Sequence, residues 1–310
     1  MSALRRLLRP LCGLAMTAAL GGSAQAEPGL RVAATLSTFA DLARQIGGEQ
    51  VQVSHIAPAR FNPHFIEPRP SDVLKVKKAD LFIHAGLDLE VWKGPLLDAA
   101  GNPHAFPGGK GELDLSHGVR LLEVPAGRVD RIQGDIHIFG NPHYWMSPDN
   151  IRVMAQAICD KLCAVDPQHE EEYHRNLRDF LGRLDQKTSE WRRELAPYRG
   201  REIIGYHNEW PYLMEFAELK MEQFLEPKPG IPPTPKHLGF LEQYMKERDI
   251  LLIAQATYFG RSSSDALAKR TEAKVLLLAQ NVGEIPGTED YFSWMDYNVK
   301  QLAGALEAAA

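Results

Sequence analysis

Apolar positions along the chain follow two alternating spacings. Residues 30–36, 51–56 and 81–84 are short runs dense in apolar side chains, the pattern of buried strands. Between the first two, Phe39, Leu42, Ala43 and Ile46 recur at helical spacing and stop at Gly47-Gly48, a good helix end. Ser71 and Asp72 can cap a helix reaching residue 79, residues 88–99 read as helix, and residues 119–124 read as a further strand. Residues 101–142 are rich in loop signals: Asn102-Pro103, Gly108-Gly109 and Gly140-Asn141-Pro142. Strands that alternate with helices imply parallel β/α units.

Ser147-Pro148 then opens a helix with Ile151, Met154, Ala155, Ile158 and Leu162 on its apolar face, broken at Asp166-Pro167. Residues 168–195 carry one apolar stripe (Tyr173, Leu177, Phe180, Leu181, Leu184, Trp191, Leu195) and are otherwise charged. A helix of that length spans about 42 Å, enough to act as a strut between two domains. The alternation then restarts: strands at 202–206, 221–225, 250–254 and 274–278, with helices at 211–218, 236–248, 264–272 and 291–307. The reading is α/β: two β/α domains with parallel-rich sheets, residues 27–166 and 198–310, joined by a linker helix at 167–197.

The first 26 residues stand apart. Arg5, Arg6 and Arg9 precede an apolar run at 11–20, which leads to Ala24-Gln25-Ala26. That order fits a cleaved secretion signal, and the run is too short for a permanent membrane span. Cys12 follows Arg9-Pro10-Leu11, a poor setting for lipid attachment. Cleavage removes three arginines and no acid, so 35 basic and 40 acidic residues become 32 and 40, a net charge near −8. Such a chain lacks the basic face that a nucleic-acid partner requires. Cys159 and Cys163 lie four apart in a helical stretch and read as small core residues on one helix face rather than a disulfide or a metal pair.

Three histidines lie where strands give way to loops or turns. His64 sits in Asn62-Pro63-His64, His143 in Gly140-Asn141-Pro142-His143-Tyr144-Trp145, and His207 at the end of Ile203-Ile204-Gly205-Tyr206. Ligands of open α/β sheets bind beyond the carboxyl ends of the strands. Histidines placed there can converge on one cleft between the domains, and three imidazoles suit Zn(II).

These motifs resemble those of the periplasmic zinc- and manganese-binding proteins of ABC importers. Asn62-Pro63-His64 followed by Glu67-Pro68-Arg69-Pro70-Ser71-Asp72 resembles the family's first-ligand loop. Gly140-Asn141-Pro142-His143-Tyr144-Trp145 with Ser147-Pro148 resembles the second, and Gly205-Tyr206-His207 with Trp210-Pro211-Tyr212 the third. The loop 226–233, Glu226-Pro227-Lys228-Pro229-Gly230-Ile231-Pro232-Pro233, resembles one found in some members. The resemblance spans the chain beyond the leader. It implies two β/α domains about one long helix and His64, His143 and His207 as metal ligands. It also implies a monomeric periplasmic protein that captures Zn(II), has no enzymatic activity, and passes the metal to an ABC permease in the inner membrane.

In that family zinc members tend to carry His at the third ligand and manganese members Glu. Two departures stand out. The dense His/Asp loop of many zinc members is represented only by His104, His117 and His137. The C-terminal stretch where many members place an acidic ligand reads Ala279-Gln280-Asn281-Val282-Gly283. The fourth position therefore falls to water, with Glu226 the alternative, ahead of Glu67, Glu209 and the weaker amide donor Gln280. His55 and His84 read as packed, His169 and His174 as solvated, His237 as unassigned, and Trp145, Trp210 and Tyr212 as cleft walls. A manganese carrier of the same family, a secreted zinc hydrolase with Glu209 or Glu67 as base, and a surface adhesin are the rival readings. No H-E-x-x-H pattern supports the hydrolase.

Overall fold

The computed structural model describes residues 29–125 and 137–309; the leader expected over residues 1–26 lies outside them. Among the described residues, seven strands form two wholly parallel sheets. The first has the order β2-β1-β3-β4, from Leu30–Ala34 (β1), Val51–His55 (β2), Leu81–His84 (β3) and Glu112–Asp114 (β4). The second has the order β5-β6-β7, from Ile204–Gly205 (β5), Leu252–Ala256 (β6) and Lys274–Leu278 (β7). The interior strands β3 and β6 are buried at every residue, which explains why they read as unbroken apolar runs.

Helices connect and cover the strands: Ser37–Gly47 (α1), Pro70–Lys78 (α2), Lys93–Ala100 (α3), Pro148–Val165 (α4), Glu170–Leu195 (α5), Pro211–Ala217 (α6), Pro235–Glu247 (α7), Ser262–Thr271 (α8) and Tyr291–Ala308 (α9). Local chemistry sets their ends. Gly48, at φ 57°, terminates α1 in a conformation that a side chain would strain. Ser147 caps α4 by accepting from the Asn150 amide, with Pro148 at the first helical position. At α2 the cap is Arg69, not Ser71. Pro70 takes the first turn, and the Asp72 carboxylate reaches back to the Arg69 amide at 2.9 Å.

Three expected elements differ. The helix at 88–99 begins only at Lys93, because Leu87 and Asp88 make a left-handed turn at φ 51° and 56°. Residues 119–124 form no strand, and β4 takes the sheet edge instead. The Leu122 amide donates to the Tyr212 hydroxyl at 3.0 Å and its carbonyl accepts from the Asn141 amide at 2.9 Å. The backbone is committed to a crossing loop, so no sheet ladder is available to it. Residues 221–225 make a single one-residue bridge, Phe224 with Gly205 of β5, beside a second bridge between Lys220 and Glu202.

The long helix predicted from residue 168 is α5, 26 residues and about 39 Å, preceded by a 3₁₀ turn at Pro167–His169. Its stripe of Tyr173, Leu177, Phe180, Leu184, Trp191 and Leu195 is buried. Asn176 donates to the Ile46 carbonyl at the end of α1 at 2.9 Å, while Trp191 and Lys187 bond Asp296 of α9 at 2.7 and 2.8 Å. Helix α5 is thus tied to elements of both sheets. A second seam joins the start of α1 to the C-terminal half. Ser37 donates to the Val282 carbonyl at 2.7 Å, Thr38 accepts from the Val282 amide at 3.1 Å, and Asp41 accepts from the Tyr291 amide at 2.9 Å. One continuous apolar core runs beneath both seams. Among the described residues no helix is long and apolar enough to cross a membrane.

Trp191 fills that core and also bonds α9, so Trp191→Ala is expected to lower the unfolding free energy by about 3–5 kcal/mol. Arg193→Ala, at an exposed position two residues on, should cost less than about 0.5 kcal/mol. Equilibrium urea unfolding of both variants checks the contrast.

Candidate metal centre

The three histidines singled out from the sequence meet. His64 Nε2 lies 3.2 Å from His143 Nε2, and the ring centroids are 5.2 Å (His64–His143), 5.7 Å (His64–His207) and 5.9 Å (His143–His207) apart. One ring nitrogen from each lies within 4.8 Å of the others, and all three side chains are buried. Nitrogens bound tetrahedrally at 2.0–2.1 Å sit about 3.3 Å apart. The His64–His143 pair already has that spacing.

Each ring is set by its own loop. In Asn62-Pro63-His64 the Asn62 side chain accepts from the His64 amide at 3.0 Å, and Trp92 holds the Pro63 carbonyl at 2.8 Å. Asn141 accepts likewise from the His143 amide at 3.1 Å and from His143 Nδ1 at 2.9 Å. The orientation of this amide is fixed from its other end, because Asn141 Nδ2 donates to Glu123 at 2.9 Å and to the Asn208 carbonyl at 3.0 Å. His143 therefore carries its proton on Nδ1 and presents a bare Nε2 inward.

His207 is positioned by a close backbone approach. A Cβ at Gly205 would fall 2.7 Å from the Met221 sulfur and the Phe224 ring. Its absence lets residues 223–226 run beside β5, where the Leu225 amide bonds the Gly205 carbonyl and the Glu226 amide bonds the Tyr206 carbonyl at 2.9 and 3.0 Å. This path delivers the Glu226 carboxylate to His207 Nδ1 at 2.8 Å, the arrangement in which a carboxylate orients an imidazole. Glu226, weighed in the sequence as a fourth ligand, is engaged in orienting the third.

Burial holds the His64 and His143 imidazoles well below their ordinary pKa of 6.5, and the neighbouring rings push the same way. On the far side the Tyr258 hydroxyl lies 2.6 Å from Glu209 Oε2 and 2.7 Å from Gln280 Oε1. One phenolic proton cannot serve two acceptors; with the Gln280 amide turned so that Nε2 donates to the hydroxyl, Tyr258 donates to Glu209 and both contacts of the hydroxyl are paired. Burial raises the Glu209 carboxyl to about 7. Trp145 lies 5.5 Å from His143 and donates to the Gln280 carbonyl, and Tyr212 donates to the Asn141 carbonyl at 2.7 Å. Both border the site as expected. Trp210 is fully buried.

The loop at 119–124 ties the ligand loops together. Glu123, at φ 55°, accepts from Asn141 at 2.9 Å and from Asn208 at 2.7 Å, so one carboxylate joins the second and third loops. His137 went unnoticed in the sequence, where it appeared as one of three scattered loop histidines. Its ring lies 5.0 Å from His64, and Asp88 contacts its Nδ1 at 3.1 Å. A solitary histidine in a loop leaves no periodic trace; only the apolar neighbours Ile136 and Ile138 set it apart. Glu67 is exposed. His84 is packed as read, bonded to Glu112 at 2.6 Å and to Lys93 at 2.9 Å.

Comparison with known proteins places this geometry. Zinc-binding lipoprotein AdcA of Streptococcus pneumoniae (strain ATCC BAA-255 / R6) is 26% identical over 96% of the chain, which spans 59% of AdcA's own length. Manganese ABC transporter substrate-binding lipoprotein PsaA of Streptococcus anginosus is 26% identical over 94% of the chain and 95% of PsaA. A crystal structure of ZnuA superimposes with a TM-score of 0.76 at 25% identity, covering 90% of this chain and 99% of that one. Residues 32–305 match the family described as "ZnuA: Zinc-uptake complex component A periplasmic", and the chain belongs to that family.

Proposed function

We propose that this chain captures Zn(II) in the periplasm through His64, His143 and His207 and delivers it to an ABC importer in the inner membrane. The observation that carries the reading is the convergence of three buried imidazoles, with the outer nitrogens of His143 and His207 held by Asn141 and Glu226. Nitrogen donors favour Zn(II) over Mn(II), and the third ligand is His where a carboxylate would suit manganese better. Water fills the fourth position, since Glu226 is committed to His207 and Gln280 faces Tyr258. A cleft of about 280 Å³ bordered by Glu123, His137, Asn141, His207 and Glu226 gives the ion a route in and out. The reading carries no catalytic step and treats zinc as cargo, held by a monomer.

One observation speaks for a zinc hydrolase. The Glu209 carboxyl, at about 7, has the proton affinity of a general base. Its Oε2 is held by Tyr258, however, and the family is one of metal uptake. A turnover screen of the zinc-loaded chain on esters and peptides separates the two readings.

Alanine at His64, His143 and His207 together is expected to abolish tight zinc binding, while His169→Ala leaves it unchanged. Glu226→Gln, which keeps the ring in place but weakens its orientation, should cost 10- to 100-fold in affinity. Competition against a zinc chelator measures all three, and tight binding by the triple variant would refute the ligand set.

His64 and His143 stay neutral as pH falls through 6.5, because burial opposes their protonation. They should therefore add nothing to the proton dependence of zinc affinity near that pH and lose the metal only further down. The slope of log Kd against pH tests this. A dependence steeper than one proton per zinc near pH 6.5 would contradict it.

His207→Glu should weaken zinc and raise manganese binding relative to it, because a carboxylate is the harder donor. Paired titrations with both metals read the ratio. An unchanged ratio would place selectivity elsewhere.

A further inference from the structure

A second group of metal-ligating side chains lies apart from the three histidines, between α4 and α5. Cys159 and Cys163 are one turn apart on α4, and Glu170 and His174 are one turn apart on α5, which returns alongside it after Pro167–His169. Cys159 lies in the apolar core and Cys163 packs against it, as the sequence reading had them, while His174, read as solvated, is half-buried. Cys159 Sγ lies 3.5 Å from His174 Nδ1, and Cys163 Sγ lies 3.9 Å from His174 Nε2. One donor atom from each of the three residues lies within 4.8 Å of the others. Zinc bound tetrahedrally, with sulfur at about 2.3 Å and nitrogen at about 2.0–2.1 Å, places those donors about 3.6 Å apart. Glu170 approaches His174 Nε2 at 3.4 Å, the arrangement in which a carboxylate orients an imidazole whose other nitrogen binds metal. Cys159 is buried, while Cys163 and His174 are half-buried, so a cation reaches the group from solvent and water completes its shell.

We propose that Cys159, Cys163 and His174, oriented by Glu170, form a second binding site for a thiophilic d¹⁰ cation, Zn(II) in the first instance. Two thiolates and one imidazole are soft donors, distinct in kind from the all-nitrogen centre. Binding forms two metal–sulfur bonds and one metal–nitrogen bond and releases two protons, one from each thiol. Burial pushes the Cys159 thiol up to about 12, so its ionisation is coupled to arrival of the cation. The bound ion links α4 to the start of α5 and so stiffens the junction from which the long helix departs. Helix α4 separates the two sites, because Cys159 lies about 17 Å along it from Pro148, which follows His143 by five residues.

The test uses the chain without its leader, kept reduced with a phosphine, and Co(II) as the probe. A thiolate site gives sulfur-to-Co(II) charge transfer in the near ultraviolet, whereas a three-histidine site does not. The His64→Ala/His143→Ala/His207→Ala variant should bind one equivalent with that band and gain thermal stability on adding Zn(II). Wild type whose histidine centre is already filled with zinc should show the same band on further Co(II), which covers the case of a triple variant that fails to fold. Cys163→Ser and His174→Ala should each remove the band and the stabilisation while leaving the histidine centre's zinc in place. Absence of the band from both reduced proteins, or its survival in Cys163→Ser, would overturn the proposal. Neither result bears on the three-histidine centre, on which this inference does not rest.

Discussion

Everything at the main centre depends on keeping three imidazoles buried and pointed at one spot. Burial, helped by the neighbouring rings, disfavours the proton on His64 and His143, but a neutral ring has two nitrogens and binds metal through only one. The tautomer is decided by what holds the other nitrogen. Asn141 does this for His143, and its own amide is oriented by Glu123 and the Asn208 carbonyl. Glu226 does it for His207, and reaches it because Gly205 has no side chain to hold the segment 223–226 away. A missing Cβ, a paired backbone and an oriented carboxylate thus form one causal chain ending at a lone pair.

The three histidines come from both halves of the molecule, so their spacing is only as fixed as the halves are. Two seams hold them: α5, bonded to α1 at Asn176 and to α9 at Lys187 and Trp191, and the start of α1, bonded to the stretch from Val282 to Tyr291. Long helices resist bending, and a shared apolar core resists sliding. The geometry therefore favours a preformed site over one assembled by hinge closure. Outside that core, the loop at 119–124 crosses the site, where Glu123 bridges the loops carrying His143 and His207. These crossings are polar and partly exposed, so they hold less apolar contact than the core that joins the two halves.

The same helices carry the Cys159–Cys163–His174 group, and its chemistry differs for a physical reason. The main centre draws single ligands from three separate loops, each held by a dedicated hydrogen bond. The second group draws on helical periodicity alone, two residues per helix at a spacing of four, which places side chains on a common face without any loop.

Strand and helix alternation, the long helix with its stripe and the three ligand candidates were legible in the residue order, because period, caps and turn residues are local properties. What the order could not separate is shown by a motif that occurs three times. Asn62-Pro63-His64, Asn141-Pro142-His143 and Asn102-Pro103-His104 all make the same turn, with the asparagine side chain accepting from the histidine amide at 3.0, 3.1 and 3.0 Å. Local chemistry made these turns alike. Only the packing of sheets and helices brought two of the histidines to the cleft and left His104 outside the cluster. The run 119–124 failed as a strand for the same reason, since its backbone was claimed by Asn141 and Tyr212, far away in sequence. His137 beside His64, Glu226 behind His207 and His174 against two cysteines were likewise decided by tertiary structure, because each contact joins residues whose nearness no local spacing encodes.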